Sequence, residues 1–241
     1  MNEIEDPYVY KNTQVLKNKL NIKSKTLLEQ KESEKVPGRI VVLKQFGMEI
    51  KSIYDVFKIH QFLFDFLFTW AGEPRTINIY KSEPILEGKT VDYTPASYIK
   101  QELSDLEIKF QKINWTSLDN NEKIEKVADI VQELWQIHCF REGNTRTIAM
   151  FLYFLLKTLG MHINTGFIAR NSKYFRNALV LASIYSLSNK TYLIEIIKDS
   201  VAIKIPNSNK YKSINGYDVE KYNYNEHTIE RLKTIKSYKD A

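Results

Sequence analysis

A histidine, a glutamate, a Gly-Asn pair and an arginine share one short run of this sequence, His138-Cys139-Phe140-Arg141-Glu142-Gly143-Asn144-Thr145-Arg146. A histidine can take a proton near neutral pH, which a hydroxyl nucleophile needs if it is to attack phosphorus. Gly143 and Asn144 precede a long apolar stretch and read as the start of a helix. The unpaired N–H groups there, with the positive end of the helix dipole, favour phosphate. Gly143 allows close backbone approach, Asn144 can cap the helix or donate its amide, and Arg146 can reach a second phosphate with a planar pair of donors. Glu142 would repel phosphate unless a cation intervened, and Mg2+ held by one carboxylate plus phosphates is the usual solution. Together these groups spell phosphoryl or nucleotidyl transfer. Phe140 is expected to anchor the loop in the core, and Arg141 to face solvent.

None of the other histidines has such company. His60 lies on an apolar helical face and reads as core, His162 follows Gly160 in a connector, and His227 lies in a polar tail. A lone histidine at a helix end is usually a cap or a surface residue, and a lone Glu-Gly-Asn is usually a turn. The combination within one loop is what carries the chemistry.

Two helices must position that loop. Ile124, Val127, Ile130, Val131, Leu134 and Ile137 recur at helical spacing over 122–137, which delivers His138, and 144–159 is apolar nearly all round before Gly160, as suits a buried central helix with a glycine cap. Further helices are expected over 50–67, 96–112, 172–188 and 192–203. With eight glycines and six prolines in 241 residues the chain reads as all-α. One segment looks strand-like: Arg75-Thr76-Ile77-Asn78-Ile79-Tyr80 alternates in polarity between Gly72, Pro74 and Pro84, and is expected to form a short hairpin arm. Beyond Pro206 the composition turns to Asn, Lys, Tyr and Ser. The expected division is an N-terminal helical extension over 1–45, a core over 46–206 and a C-terminal extension over 207–241 with a last helix near 225–236.

Composition limits the alternatives. With 43% apolar and 12% aromatic residues the chain can fill a core. Its single cysteine, Cys139, permits no intrachain disulfide and no Cys-based zinc site, which points to a reducing compartment. The acidic start, Met1-Asn2-Glu3-Ile4-Glu5-Asp6, is unlike a secretory signal, and no run is long enough to span a bilayer, so a cytoplasmic protein is expected. A net charge of +6 spread over scattered lysines, with no nucleic-acid-binding signature, reads as a solvated surface, so no nucleic acid is expected as partner.

The run from His138 to Arg146 resembles the signature of the Fic (filamentation induced by cAMP) family, H-x-F-x-[D/E]-G-N-[G/K]-R-x-x-R, matching it at His138, Phe140, Glu142, Gly143, Asn144 and Arg146. The stretch from Phe68 to Ile79 is similar to the family's approach to its flap, and Tyr8-Val9-Tyr10 and Leu16 to Ile22 are similar to the N-terminal region of bacterial members. The resemblance covers about residues 7–203 by motif order. It implies a Fic-type helical bundle with a short β-hairpin flap, and transfer of AMP from ATP to a Ser, Thr or Tyr hydroxyl of a target protein. Carried over, His138 is the general base, Glu142 the Mg2+ ligand, and Gly143, Asn144, Thr145 and Arg146 hold the triphosphate. Adenine would lie against the helix near Tyr174 to Ala178, and the flap residues Ile77, Asn78, Ile79, Tyr80 and Lys81 would pair with an extended target segment.

Two departures from the family pattern matter. Thr145 stands where Gly or Lys is usual, and Ala149 stands where the second motif arginine would be. In the family that arginine orients the outer phosphates and pairs with an inhibitory glutamate in a [S/T]-x-x-x-E-[G/N] helix, and both halves of the device look missing here: the nearest fragment, Thr191 to Glu195, continues with Ile196. Three outcomes stay open: AMP transfer without built-in inhibition, inhibition by a separate antitoxin-like protein, or a reversed nucleotide that makes the domain a phosphotransferase like the related Doc toxins. A catalytically weak binding module using the flap and the Tyr/Lys-rich tail is the alternative from outside enzymology.

Overall fold

The structure is a computed structural model that describes residues 6–164, 166–184, 188–202 and 208–221. The helices are α1 (Lys25–Phe46), α2 (Asp55–Phe64), α3 (Ile99–Gln111), α4 (Asn120–Ile137), α5 (Asn144–Thr158), the single turn α6 (Phe167–Arg170), α7 (Ser172–Ala182) and α8 (Thr191–Val201). Among the described residues the only strands are β1 (Ser213–Ile214) and β2 (Tyr217–Asp218), an antiparallel pair. The chain is thus mostly helical, as its glycine and proline content implies. No described helix is long and apolar enough to cross a membrane.

Two of the helices, α1 and α4, start on side-chain caps. Ser24 accepts the N–H of Leu27 at the head of α1, and Asp119 and Glu122 form a reciprocal capping box at the head of α4. α5 is the axis of the bundle: it packs on α2 on one side and α4 on the other, and Phe151, Leu152, Phe154, Leu155 and Leu156 are buried along it. The helix over 50–67 is shorter than its periodicity suggests. Asp55 folds back to accept the N–H groups of Lys51 and Ser52, so the chain turns before α2 begins.

The N-terminal region is bound to the core. Tyr8 meets Trp70 edge-on with ring centres 5.4 Å apart, and Lys19 N–H donates to the Leu67 carbonyl at 2.8 Å. At the other end Tyr211 packs edge-on against Phe167 and Tyr174, bonds Asp199 through its hydroxyl, and seats 208–221 beside α7. The helix expected near 225–236 lies outside the described residues.

The strand expected over 75–80 is not formed. The Arg75 guanidinium explains why. It donates to the Ile77 carbonyl at 2.6 Å and to the Thr94 carbonyl across from it, so a side chain bridges the two arms where a ladder would join them. Asn78 Oδ1 takes the Ala96 N–H at 2.8 Å, and the excursion closes with Glu83 N–H donating to the Lys89 carbonyl at 2.9 Å around a 3-10 turn, Pro84–Leu86. The two-stranded sheet that does form lies in the C-terminal extension.

Arg75 also donates to the His138 carbonyl at 2.8 Å and approaches that of Ile137, capping the C-terminus of α4 with a cation. Burial pushes its guanidinium down to about 10, still charged at neutral pH. Arg75→Lys cannot make this fork of bonds and is expected to lose about 1.5 to 3 kcal/mol, read as a lower urea midpoint at unchanged slope; an unchanged midpoint would mean the carbonyls find water instead.

His60 is wholly buried on α2, as its apolar helical face implies, and stacks on Phe140 with ring centres 3.8 Å apart. Gly72 N–H donates to its Nδ1 at 2.8 Å, so Nε2 carries the proton and donates to the Glu142 carbonyl at 3.0 Å. Burial lowers this ring from 6.5 to about 4. The stability it confers is complete above pH 6.5 and is lost as pH falls toward 4, an effect on the order of 3 kcal/mol. Urea unfolding of wild type and His60→Phe across that window should show a shallower pH slope in the variant; parallel slopes would refute the assignment.

Candidate active site

Between α4 and α5 the chain reverses in six residues, and the turn is tightly determined. His138 closes α4 in a left-handed conformation, φ 49 and ψ 52, with its N–H on the Trp135 carbonyl at 3.1 Å. Gly143 opens α5 at φ 82, and a Cβ there would come within 2.5 Å of the Phe64 ring, so both backbone angle and space call for glycine. Asn144 staples the loop: its Oδ1 accepts the Phe140 N–H at 3.0 Å and its Nδ2 donates to the Phe140 carbonyl at 2.7 Å. The amide is therefore spent on the loop rather than held out for a ligand. Phe140 is buried between His60 and Phe57, as an anchor should be.

Arg141 corrects an expectation. It is 2% exposed, and its Nε and Nη2 donate to Asp6 Oδ2 at 3.2 and 2.6 Å. The N-terminal segment covers the loop and supplies the carboxylate, so the side chain is buried as half of an ion pair.

His138 is also fully buried. Its Nδ1 lies 3.1 Å from the Trp135 carbonyl, which can only accept, so Nδ1 carries the proton and Nε2 holds the lone pair. Nε2 has no hydrogen-bond partner among the described residues. Burial, with the charges of Lys81, Arg176 and Arg75, holds the ring well below 6.5 and hence neutral at pH 7. Tyr93 packs over it at 4.2 Å between ring centres.

Glu142 lies across the start of α5. Its Oε1 accepts the Gly143 N–H at 2.9 Å, Lys81 Nζ is 3.7 Å from its Oε2 and Arg146 Nη2 is 3.7 Å from its Oε1. Burial alone would raise this carboxyl, but Lys81, Arg146, the Gly143 N–H and Arg141 outweigh it and hold it well below the usual range. It is a fixed anion. Among the described residues no three His, Cys, Asp or Glu side chains gather to hold a metal by themselves. A divalent ion here would need this one carboxylate and a ligand's oxygens, an arrangement that suits Mg2+.

Four neighbours were given no role of their own by the sequence reading. Glu32, from α1, pairs with Arg146 Nη1 and is itself buried. So the motif arginine does have an intrachain glutamate, contrary to expectation. It comes from a helix with Leu28 and Ser33 at the places where [S/T] and [G/N] were sought, and it takes the first arginine rather than the absent second. Arg176, from α7, donates to Thr145 Oγ1 at 2.8 Å and to Glu83 Oε1 at 2.5 Å, and Trp135 Nε1 donates to the same Thr145 oxygen at 3.1 Å. Arg176 lay within the stretch expected to face adenine, but as a lone arginine it carried no signal of its own, and neither did Glu83 beside Pro84. Tyr174, expected at an adenine, packs instead against Tyr192 and Tyr211; Arg176 is the α7 side chain that reaches the loop. Of the flap residues, Ile79 and Lys81 are buried, Ile77, Asn78 and Tyr80 are half-buried, and Lys81 points at Glu142.

Residues 51–156, which span α2 to α5 and the loop, match the Fic/DOC family. The chain is 32% identical over 165 residues to protein adenylyltransferase VbhT of Bartonella schoenbuchensis, an alignment covering 66% of this chain and 32% of that protein. It is 27% identical over 146 residues to the probable protein adenylyltransferase Fic of Escherichia coli, covering 59% and 68%. This chain therefore spans about a third of the length of VbhT. Among solved structures it is similar to BepC of Bartonella tribocorum with bound AMPPNP, at 26% identity and a TM-score of 0.68 over 80% of this chain and 95% of that one. By the helix order, the loop between α4 and α5 and the match over 51–156, this stretch of the chain is a Fic/DOC family domain.

Proposed function

We propose that this protein is an ATP:protein adenylyltransferase that moves AMP onto a Ser, Thr or Tyr hydroxyl of a target protein. The observation that carries the proposal is His138: a neutral imidazole whose unpartnered Nε2 sits in the same six-residue loop as a helix N-terminus and an ionised carboxylate. The kinship with two named adenylyltransferases, and with a structure that holds AMPPNP, supports the same reading.

The step balances as follows. A target hydroxyl oxygen attacks the α-phosphorus, the new O–P bond forms as the bond from the α-phosphorus to the bridging oxygen breaks, pyrophosphate leaves, and the hydroxyl proton passes to His138 Nε2. The rising positive charge on the ring is met by Nδ1–H on the Trp135 carbonyl. Thr145 and Arg146, with the free N–H groups of the first α5 turn, would hold phosphate oxygens, while Gly143 provides the close approach and Asn144 keeps the loop in shape. Mg2+, when bound through Glu142 and phosphate oxygens, would neutralise charge on the leaving group. Ile77 to Lys81 runs outside any ladder and so can accept an extended target segment. Lys81 would have to leave Glu142 for the metal to enter.

In the absence of ATP, Glu32 and Glu142 satisfy Arg146. We read Glu32 as a guard on that arginine, which makes a separate antitoxin-like inhibitor unnecessary for restraint at this position.

Incubation with Mg2+ and ATP followed by intact-mass spectrometry should add one AMP mass to the protein or to a target supplied in lysate, and His138→Ala should remove it by about three to four orders of magnitude in rate. A gain of one phosphate instead would select the phosphotransferase alternative. Glu32→Gly should raise the initial rate of labelling by about tenfold or more through release of Arg146; an equal or lower rate in a folded variant would show that Glu32 is only a structural partner.

A further inference from the structure

The position of Arg176 is not demanded by the fold. It lies on α7 between Phe175 and Asn177, with Ala178 to Ala182 apolar and buried beyond it, and it is 4% exposed. Burying a guanidinium is expensive even when it is paired, and an apolar side chain of similar size usually serves a core better. What the arginine achieves is reach. Its fork spans from Thr145, in the first turn of α5, to Glu83 in the flap, and its carbon centre lies 5.5 Å from the Trp135 ring centre on the ring's face. Its charge bears on His138 and on Lys81.

Its carboxylate partner is an incomplete one. Glu83 is 0% exposed; its Oε1 takes both Arg176 and the Tyr93 hydroxyl, the latter at 3.0 Å, whereas Oε2 has no hydrogen-bond partner among the described residues. A buried carboxylate with one oxygen unsatisfied is not the arrangement of a pair optimised to hold a fold. It is the arrangement expected of a stand-in for a larger anion with more oxygens. Within the loop the supply of cations is short: Arg146 is shared by Glu32 and Glu142, and position 149 is alanine.

We propose that Arg176 is a phosphate-binding residue of this site, and that Glu83 holds its fork until the phosphate chain of ATP displaces that carboxylate. The inference rests on the nucleotide reading given above and assigns it a residue outside the loop. A planar guanidinium offers two parallel donors to phosphate oxygens, and here it is already fixed beside the open N–H groups of α5 through Thr145. Exchange of partners also frees the flap at residue 83, so occupancy by ATP loosens the segment on which a target would dock.

The test is calorimetric titration of ATP with Mg2+, and of adenosine, into the full chain carrying His138→Ala so that nothing turns over. The double variant Glu83→Gln, Arg176→Gln removes both charges without leaving either orphaned. It should bind ATP about 10- to 100-fold more weakly and adenosine as before, with a cooperative melt confirming the fold. Glu83→Gln alone should tighten ATP binding, because the resident competitor loses its charge. Should the double variant fail to fold, Arg176→Lys keeps a charge without the fork and is expected to weaken ATP binding by about fivefold. Unchanged ATP affinity in a folded double variant or in Arg176→Lys, or weaker ATP binding by Glu83→Gln, would overturn the proposal by showing that the pair is only a prop for the flap. If the His138→Ala parent itself binds no ATP, the nucleotide reading falls with it; if the parent binds and the variants match it, only the role of Arg176 falls.

Discussion

Everything chemical in this protein depends on how the chain gets from the end of α4 to the start of α5. Six residues must reverse direction, and they do so by entering a left-handed turn at His138 and leaving through another at Gly143. The first costs free energy for a side-chain-bearing residue, and the second tolerates no side chain at all because the Phe64 ring fills the space. The remaining freedom is removed by the Asn144 amide, which closes a ring of two hydrogen bonds on Phe140, and by His60, which stacks under Phe140 and holds the Glu142 carbonyl. An imidazole and a carboxylate are thereby fixed relative to a helix N-terminus by packing and hydrogen bonds together. Such prior placement is what allows electrostatic groups to act without reorganising during reaction.

Around that loop the balance of charge is deliberate. Lys81, Arg75, Arg141, Arg146 and Arg176 converge on it, answered by Glu142, Glu83, Glu32 and Asp6. Three of the four carboxylates arrive from segments outside the loop: the N-terminal end, α1 and the flap. The site is therefore a place where distant parts of the chain neutralise one another. That also accounts for the close docking of the N-terminal region, which contributes two of those carboxylates.

α2, α3, α4, α5, α7 and α8 were legible because their apolar residues recur at helical spacing, and the loop was legible because its residue types crowd into one run; α1 is weakly amphipathic and was foreseen only as part of a helical extension. α4 and α5 begin or end within about two residues of their periodicity. What stayed hidden depends on distance in space rather than along the chain. Asp6 and Arg141 are 135 residues apart, and Glu83 and Arg176 are 93 apart, so neither partner marks the other. Arg141 was expected in solvent because a lone arginine in a polar loop usually is. The alternation over 75–80 was real, but it reflects one face turned toward the site; Arg75 then occupies carbonyls that a ladder would have used. Tyr174 shows the same limit from the other side, since its ring is needed to seat Tyr211 and is not available to a base.

Cys139 adds a practical property. It is the sole cysteine in the sequence, it sits between His138 and Phe140 at 1% exposure, and burial pushes its thiol up to about 12. A thiol so placed is silent toward alkylating reagents while the loop is closed, because it is neither reachable nor ionised. Each modification event must therefore wait for this turn to open, and with no second thiol to confuse the signal, the labelling rate becomes a clock for the breathing of the loop itself.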